Sequence, residues 1–201
     1  GYVADDFTDH ALAFIEQNKD RPFLCYLPLN TPHSPWAVPE KYWQRFKDKP
    51  ITQRGLDGAD ETVDVTRCVL AMTENLDANV GRVLQRLDEL KLSANTIVIY
   101  FSDNGPNSSR WNGGMKGRKG SVDEGGVRAP FFIRWPGKIK PGANVREIAG
   151  AIDLLPTASI TARVPTSDTG IAAMGMIAAR QVCRNSTITS TTSTIASKMV
   201  V

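Results

Sequence analysis

Two stretches of the sequence carry residue types suited to chemistry: the pair Asp103-Asn104 and a basic, glycine-rich segment at 113–120. Carboxylate and amide oxygens are the ligands that calcium and magnesium prefer, at roughly 2.0–2.6 Å. The second stretch places Lys116, Arg118 and Lys119 among four glycines, which let the backbone approach a ligand closely. Lysine supplies a compact charge for phosphate or sulfate oxygens. Together the two stretches predict a site that holds a metal ion and an oxyanion side by side.

The elements on either side of these stretches give them a position. Residues 95–101 form an uncharged run of β-branched and aromatic residues, which predicts a fully buried strand of a parallel sheet. The turn-forming residues 102–106 end that strand, and ligands of open α/β sheets bind just beyond the carboxyl ends of strands. A second hydrophobic strand is predicted at 129–135, directly after the basic segment. The basic segment is therefore bracketed by two core strands.

Each stretch also has a simpler interpretation. Asp-Asn-Gly is a common Asx turn that only ends a strand, and a cluster of basic residues is usually a solvated loop. The bracketing strands favour a positioned loop over a solvated one.

The rest of the chain predicts an α/β fold, because helices alternate with apolar strands. Residues 61–91 have apolar residues at helical spacing and predict an amphipathic helix about 45 Å long at ~1.5 Å per residue. A proline-rich loop at 30–39 presents His33. The remaining predicted elements are helices at 8–18 and 40–46, strands at 22–29 and 147–152, and a helical turn capped by Asp153.

Residues 166–201 differ in character from the rest of the chain. Nine of the twelve residues 186–197 are Ser or Thr, and no aromatic residue follows Trp135. Low hydrophobic content without periodicity predicts disorder. We therefore divide the chain into a folded part at 1–165 and a low-complexity tail at 166–201.

Six motifs, in this order and spacing, resemble the sulfatase family, the sulfuric ester hydrolases of the alkaline phosphatase superfamily. The resemblance covers roughly residues 1–165. It implies a partial alkaline-phosphatase-like sandwich with a mainly parallel sheet flanked by helices. The motifs are RPFLCYLP (21–28), TPHSP (31–35), FSDNGP (101–106), KGSVDEGGVRAP (119–130), WPG (135–137) and IDLLPT (152–157).

The resemblance also implies roles for single residues. Asp103 and Asn104 match ligands of a divalent cation, usually calcium, with magnesium as the alternative. Lys119 matches a lysine that contacts the sulfate, and His33 matches a histidine that contacts the sulfate or the leaving oxygen. A histidine between two prolines is otherwise often a surface loop residue. Glu124 and Arg128 are expected to shape the loop as a structural ion pair.

The nucleophile expected from the resemblance is a formylglycine, made from a Cys/Ser-x-Pro/Ala-x-Arg motif. None of Cys25, Cys68 and Cys183 begins such a motif, and 159–163 has Thr where Pro or Ala is required. The family's metal shell also uses paired aspartates, but Asp5-Asp6 precedes a helix and is interpreted as an N-cap pair. We expect the chain to be the C-terminal portion of a longer catalytic domain, with the nucleophile outside it, and to be inactive alone.

Bulk composition is that of an ordinary globular protein, with 41% hydrophobic and 22% charged residues among 201. A net charge of +3 is too small to indicate nucleic acid or membrane as a partner. The expected partner is a sulfated small molecule or a sulfated polysaccharide. Two alternatives stay open: a phosphatase or phosphonate-type hydrolase of the same superfamily, and a non-catalytic module that binds anions or metals.

Overall fold

A computed structural model of the protein describes residues 1–52, 55, 62–154 and 198–200. Its helices are α1 (Val3–Gln17), α2 (Glu40–Trp43), α3 (Val63–Glu89) and α4 (Glu124–Val127), and short 3₁₀ turns occur at Ser93–Asn95 and Ala151–Asp153. Its strands are β1 (Leu24–Cys25), β2 (Thr96–Phe101), β3 (Phe131–Arg134) and β4 (Lys198–Val200). No helix in these ranges is long and apolar enough to cross a membrane.

The long helix α3 confirms the helix predicted at 61–91, with slightly shorter ends. It has 27 residues, which is about 40 Å at ~1.5 Å per residue. Its large buried apolar side chains recur at intervals of three, four and seven residues and so lie on one face. They include Val69, Met72, Leu76, Val83 and Leu87.

Helices α1 and α3 pack together and share a core with β1. Ile15 and Leu87 are fully buried in this core, and the Phe23 ring packs edge-on against Phe14 at 5.9 Å. Cys25 lies in the same core, and burial raises the pKa of its thiol. A buried thiol of raised pKa is unreactive, so Cys25 has a packing role.

The sheet has the strand order β1-β4-β2-β3. β4 pairs in parallel with both β1 and β2, and β2 pairs antiparallel with β3, from Val98 opposite Arg134 to Phe101 opposite Phe131. Two of the three pairings are parallel, in agreement with a mainly parallel sheet. Within the described residues β2 is only half-buried, with Thr96 and Ile99 as its buried positions. The prediction that this strand is fully buried was therefore wrong for the part of the chain that the structure describes.

Two predicted strands differ from the structure. The strand predicted at 22–29 is limited to β1, because Pro22 and Pro28 have no N–H to donate to a neighbouring strand. Residues 147–152 do not form the predicted strand, and a 3₁₀ turn occupies Ala151–Asp153. Its cap matches the prediction, since the Gly150 N–H donates to the Asp153 carboxylate at 2.8 Å. The predicted disordered tail at 166–201 lies outside the described residues, apart from β4.

The prediction that Asp5 and Asp6 cap a helix was wrong. α1 begins at Val3, so both aspartates lie in its first turn, and the Asp5 carboxylate reaches across to α3. There it accepts hydrogen bonds from the side-chain amides of Asn75 and Asn79, each at 2.8 Å. Both asparagines are buried, at 0% and 1% exposure. Asp5 therefore links α1 to α3 through these two hydrogen bonds.

Candidate active site

A cleft of about 600 Å³ extends along β2 to the loops that follow the carboxyl ends of β1 and β2. Its walls come from the loop after β1, the turn after β2 and the glycine-rich loop, while α3 contributes apolar side chains. The structure brings all four residues proposed from the sequence to this cleft: His33, Asp103, Asn104 and Lys119.

Asp103 and Asn104 lie in the turn that follows β2. The Asn104 side-chain amide donates a hydrogen bond to the Asp103 carboxylate. The Ser102 hydroxyl donates to the Asn104 carbonyl oxygen at 3.2 Å, which holds the turn. Asp103 is exposed and lines the cleft.

As a test of metal fit, the pair supplies two hard oxygen donors, which suits calcium or magnesium. Among the residues that the structure describes, no three His, Cys, Asp or Glu side chains are grouped around a metal position. Calcium takes roughly six to eight oxygen ligands. The described residues therefore fit one edge of a metal shell and do not complete one.

The shape of the glycine-rich loop depends on Asn112. Its side-chain amide donates to the carbonyl oxygens of Met115 and Gly117 at 2.9 and 3.1 Å. Gly117 has φ +84°, a conformation that favours glycine. The sequence analysis missed Asn112, although an asparagine directly before two glycines is a turn signal.

Two backbone hydrogen bonds join the glycine-rich loop to the turn that carries Asp103 and Asn104. The Lys119 N–H donates to the Pro106 carbonyl oxygen at 2.8 Å, and the Gly105 N–H donates to the Gly126 carbonyl oxygen at 3.0 Å. A Cβ atom on Gly105 would lie 1.9 Å from the carbonyl oxygen of Gly125. Only glycine at 105 allows this approach, so the two halves of the cleft wall are positioned as one unit.

The two lysines of the loop have different surroundings. The Lys116 ammonium is 3.1 Å from the Asp123 carboxylate and does not line the cleft. Lys119 lines the cleft, and within the described part of the chain it has no carboxylate partner. Of these two cations, Lys119 is the one available to an anion in the cleft.

The expected ion pair of Glu124 and Arg128 is present at 3.4 Å. Both side chains are about two-thirds exposed, at 67% and 69%, and such exposed pairs contribute little stability. The loop therefore owes its shape to Asn112 and the backbone hydrogen bonds rather than to this pair.

His33 lies on the loop between β1 and α2. Its backbone N–H donates to the Asn30 carbonyl oxygen at 2.8 Å, closing a turn. Its ring Nδ1 is 2.9 Å from the Ser34 carbonyl oxygen, which can only accept, so Nδ1 carries a proton. The Nε2 atom is therefore the ring nitrogen that can contact a ligand in the cleft.

Comparison with known proteins supports the resemblance found in the sequence. The Sulfatase family model matches residues 1–164. The chain belongs to the sulfatase family. Human arylsulfatase A is 35% identical over 161 residues, which cover 78% of this chain and 28% of that protein. The N-acetylgalactosamine-6-O-sulfatase of Bacteroides thetaiotaomicron is 34% identical over 153 residues, which cover 69% of this chain and 26% of that protein. The chain thus spans about a quarter of the length of these sulfatases.

A solved crystal structure also has a similar fold. The crystal structure of Ps i-CgsB in complex with k-i-k-neocarrahexaose has a TM-score of 0.70 and 26% sequence identity. The match covers 89% of this chain and 39% of that one. The likeness implies an alkaline-phosphatase-like α/β fold. Of that fold, the described residues form a small mixed sheet and the helix pair α1 and α3.

Proposed function

We propose that this chain supplies the sulfate-binding and part of the metal-binding side of a sulfatase active site, which hydrolyses sulfate monoesters. One observation carries the proposal. His33, Asp103, Asn104 and Lys119 line a single cleft in a chain of the sulfatase family. The substrate is a sulfated small molecule or a sulfated polysaccharide.

Lys119 acts on the charge of the sulfate group. A sulfate monoester carries negative charge on its peripheral oxygens throughout the reaction, and its ester oxygen gains charge as the S–O bond breaks. A positioned cation that faces these oxygens lowers the energy of the transition state. The backbone hydrogen bond from Lys119 to Pro106 supports this role, because it fixes where the side chain leaves the loop.

His33 acts as the acid for the leaving group. When the S–O bond breaks, its electron pair stays on the ester oxygen, which then takes a proton from the imidazolium. The Ser34 carbonyl oxygen holds the Nδ1 proton in place. Nε2 is therefore the position that gives its proton to the departing oxygen.

Asp103 and Asn104 would supply two oxygen ligands to a calcium ion, with magnesium as the alternative. For this, Asn104 has to present its amide oxygen, whereas its amide nitrogen now faces Asp103. A cation bound there would polarise the sulfate oxygens as a Lewis acid. The nucleophile, a formylglycine, lies outside these 201 residues, whose sequence contains no Cys/Ser-x-Pro/Ala-x-Arg motif.

The proposal is tested by calorimetric titration of the purified chain with inorganic sulfate. We expect sulfate to bind, and Lys119→Ala to weaken binding about tenfold or more, since a hydrogen bond to a charged group contributes about 1.5–3 kcal/mol. Lys116→Ala is the matched control and should leave the affinity unchanged. Absence of sulfate binding, or an equal loss in both variants, would overturn the proposal. A parallel titration with phosphate tests the phosphatase alternative, which tighter binding of phosphate would favour.

A further inference from the structure

Two asparagines of the chain are followed directly by glycine, in the pairs Asn104-Gly105 and Asn112-Gly113. An asparagine in such a pair can lose its amide group without an enzyme, because glycine has no side chain to hinder attack by its own backbone nitrogen. The reaction needs freedom of the backbone at the glycine and a backbone nitrogen that is not held in a hydrogen bond. The two pairs differ in both respects.

Gly105 is held firmly by its surroundings. Its N–H donates to the Gly126 carbonyl oxygen at 3.0 Å, and a Cβ atom on it would lie 1.9 Å from the Gly125 carbonyl oxygen. The Asn104 amide donates to the Asp103 carboxylate, and a hydrogen bond to a charged group is roughly twice as strong as a neutral one. A reaction at Asn104 therefore has to break both hydrogen bonds and move packed backbone.

Gly113 is exposed and has open space around it. A Cβ atom on it would meet only the Met115 methyl group, at 3.9 Å, and its N–H donates no hydrogen bond among the residues that the structure describes. The Asn112 amide donates to two neutral groups, the carbonyl oxygens of Met115 and Gly117. A reaction at Asn112 therefore breaks two neutral hydrogen bonds but displaces no packed backbone at the glycine.

We propose that Asn112 is a site of spontaneous deamidation, modified in the folded chain in preference to Asn104. The Gly113 nitrogen loses its proton to hydroxide and attacks the side-chain carbonyl carbon of Asn112, forming a C–N bond and a cyclic imide. The C–NH₂ bond breaks, and the amide group leaves as ammonia with a proton from water, which regenerates the hydroxide. Water then opens either C–N bond of the imide, which leaves aspartate or isoaspartate at position 112.

The modification removes the donor that shapes the glycine-rich loop. A carboxylate can only accept hydrogen bonds, so it cannot bond the Met115 and Gly117 carbonyl oxygens, and its charge lies beside them. Lys119 follows Gly117 by two residues, so opening of this turn moves the available cation of the cleft. Sulfate affinity should therefore fall. This consequence rests on the proposed function, whereas the site of modification does not.

The site is tested by incubating the purified chain at mildly alkaline pH, folded or unfolded in urea, and by mass spectrometry of its tryptic peptides. Cleavage after Lys91, Arg110 and Lys116 places Asn104 in peptide 92–110 and Asn112 in peptide 111–116. In the folded chain we expect Asn112 to react about two- to tenfold faster than Asn104, the size of one hydrogen bond that has to open. In urea the two should react at similar rates. Asn112→Gln should abolish the change in peptide 111–116, because glutamine closes a larger ring more slowly.

The consequence is tested by calorimetric titration with inorganic sulfate. Asn112→Asp, which reproduces one product, should weaken sulfate binding about three- to tenfold, the size of a lost hydrogen bond. Asn144→Asp is the matched control, since it adds the same charge at an exposed asparagine outside the cleft lining. It should bind sulfate like the original chain. Circular dichroism of each variant shows whether a loss reflects unfolding.

The outcomes separate this inference from the proposed function. If Asn104 reacts in the folded chain as fast as Asn112 or faster, or if neither reacts, the site assignment is overturned. If Asn112 reacts first but Asn112→Asp binds sulfate like the original chain, or Asn144→Asp causes an equal loss, only the effect on the cleft is overturned. If the original chain does not bind sulfate, the proposed function fails, and the mass measurement still decides the site of modification.

Discussion

The Lys119 N–H donates a hydrogen bond to the Pro106 carbonyl oxygen at 2.8 Å, which ties the basic loop to the turn carrying Asp103 and Asn104. A second backbone hydrogen bond, from Gly105 to Gly126 at 3.0 Å, makes the same connection from the other side. Both bonds depend on backbone groups that approach closely. The geometry of the cleft therefore depends on glycines as much as on the charged residues.

Gly105→Ala should disrupt this connection. The added Cβ would lie 1.9 Å from the Gly125 carbonyl oxygen, so the backbone has to shift. We expect the free energy of unfolding to fall by about 1–3 kcal/mol, as in other overpacked sites, and sulfate binding to weaken. Urea denaturation and sulfate titration measure the two effects. Gly81→Ala in α3 is the control, because a Cβ there meets nothing within 4 Å. It should raise stability by about 0.5–1 kcal/mol. A Gly105→Ala variant as stable as the original chain would contradict the account.

Asp5→Ala should weaken the packing of α1 against α3. It leaves the buried amides of Asn75 and Asn79 without their carboxylate, which costs about 1–3 kcal/mol of stability. Asp6→Ala is the control, since Asp6 lies in the same helical turn, is exposed, and its carboxylate has a single 3.7 Å contact, with His10, among the described residues. It should change stability by less than about 0.5 kcal/mol. Equal losses in the two variants would mean that Asp5 acts only through the helix dipole.

The contribution of Asp5 should also depend on pH. Burial raises the pKa of its carboxyl, but the hydrogen bonds from Asn79 and Asn75, together with Lys41 and Arg82, outweigh burial and lower the pKa below its ordinary value. The stabilisation is therefore complete above the pKa of the unfolded state and is lost as pH falls through the lower folded-state pKa. The stability difference between Asp5→Ala and Asp6→Ala should be constant at neutral pH and shrink below about pH 4. Denaturation series at several pH values measure it, and a difference independent of pH would contradict this assignment.

Asp103→Ala should weaken calcium binding, because it removes the only charged ligand of the Asp103–Asn104 pair. A loss of about tenfold or more is expected, by analogy with losses of 10- to 100-fold when supporting groups of metal sites are removed. Isothermal calorimetry with calcium measures it. Asp64→Ala, which removes an exposed carboxylate paired with Arg67 on α3, is the control. If both variants bind calcium equally well, Asp103 is not a metal ligand.

The purified chain should not hydrolyse an aryl sulfate, because its sequence contains no motif that could yield the formylglycine nucleophile. An assay with a chromogenic aryl sulfate and saturating calcium tests this. Turnover above the buffer rate that Lys119→Ala abolishes would show that the chain supplies its own nucleophile.

The sequence predicted the bounds of the long helix and of the strands on either side of the glycine-rich loop well, because each has a clear apolar pattern. It overestimated the burial of these strands, since β2 is half-buried and the apolar side chains of β3 are exposed. α3 and β2 were found within a few residues of their predicted bounds. The sequence analysis also placed Asp103-Asn104 and Lys119 at one site, since the turn and the basic loop lie between two consecutive predicted strands; the antiparallel pairing of those strands was not predicted. Residues between two consecutive strands are close in the sequence, so their proximity can be predicted from the local sequence alone.

Contacts between distant elements could not be predicted in the same way. Asn75 and Asn79 interrupt the apolar stripe of α3, and nothing in their spacing indicates that their partner is Asp5, 70 and 74 positions away. Asn112 and Gly105 hold the loop through backbone groups, whose partners are set by tertiary geometry. The position of β3 at the edge of the sheet, antiparallel to β2, likewise depends on the order of the strands rather than on composition.

The most direct test of a shared cleft is the sign of the effect of Asp103→Ala on sulfate affinity, measured by calorimetry without and with saturating calcium. Without calcium, the Asp103 carboxylate repels sulfate, so Asp103→Ala should bind sulfate more tightly than the original chain. With calcium, the variant loses the cation that attracts sulfate and should bind it more weakly than the original chain, and calcium should raise sulfate affinity only in the latter. An Asp103→Ala variant whose sulfate affinity equals that of the original chain under both conditions would contradict the account, because Asp103 and the sulfate site would then be separate.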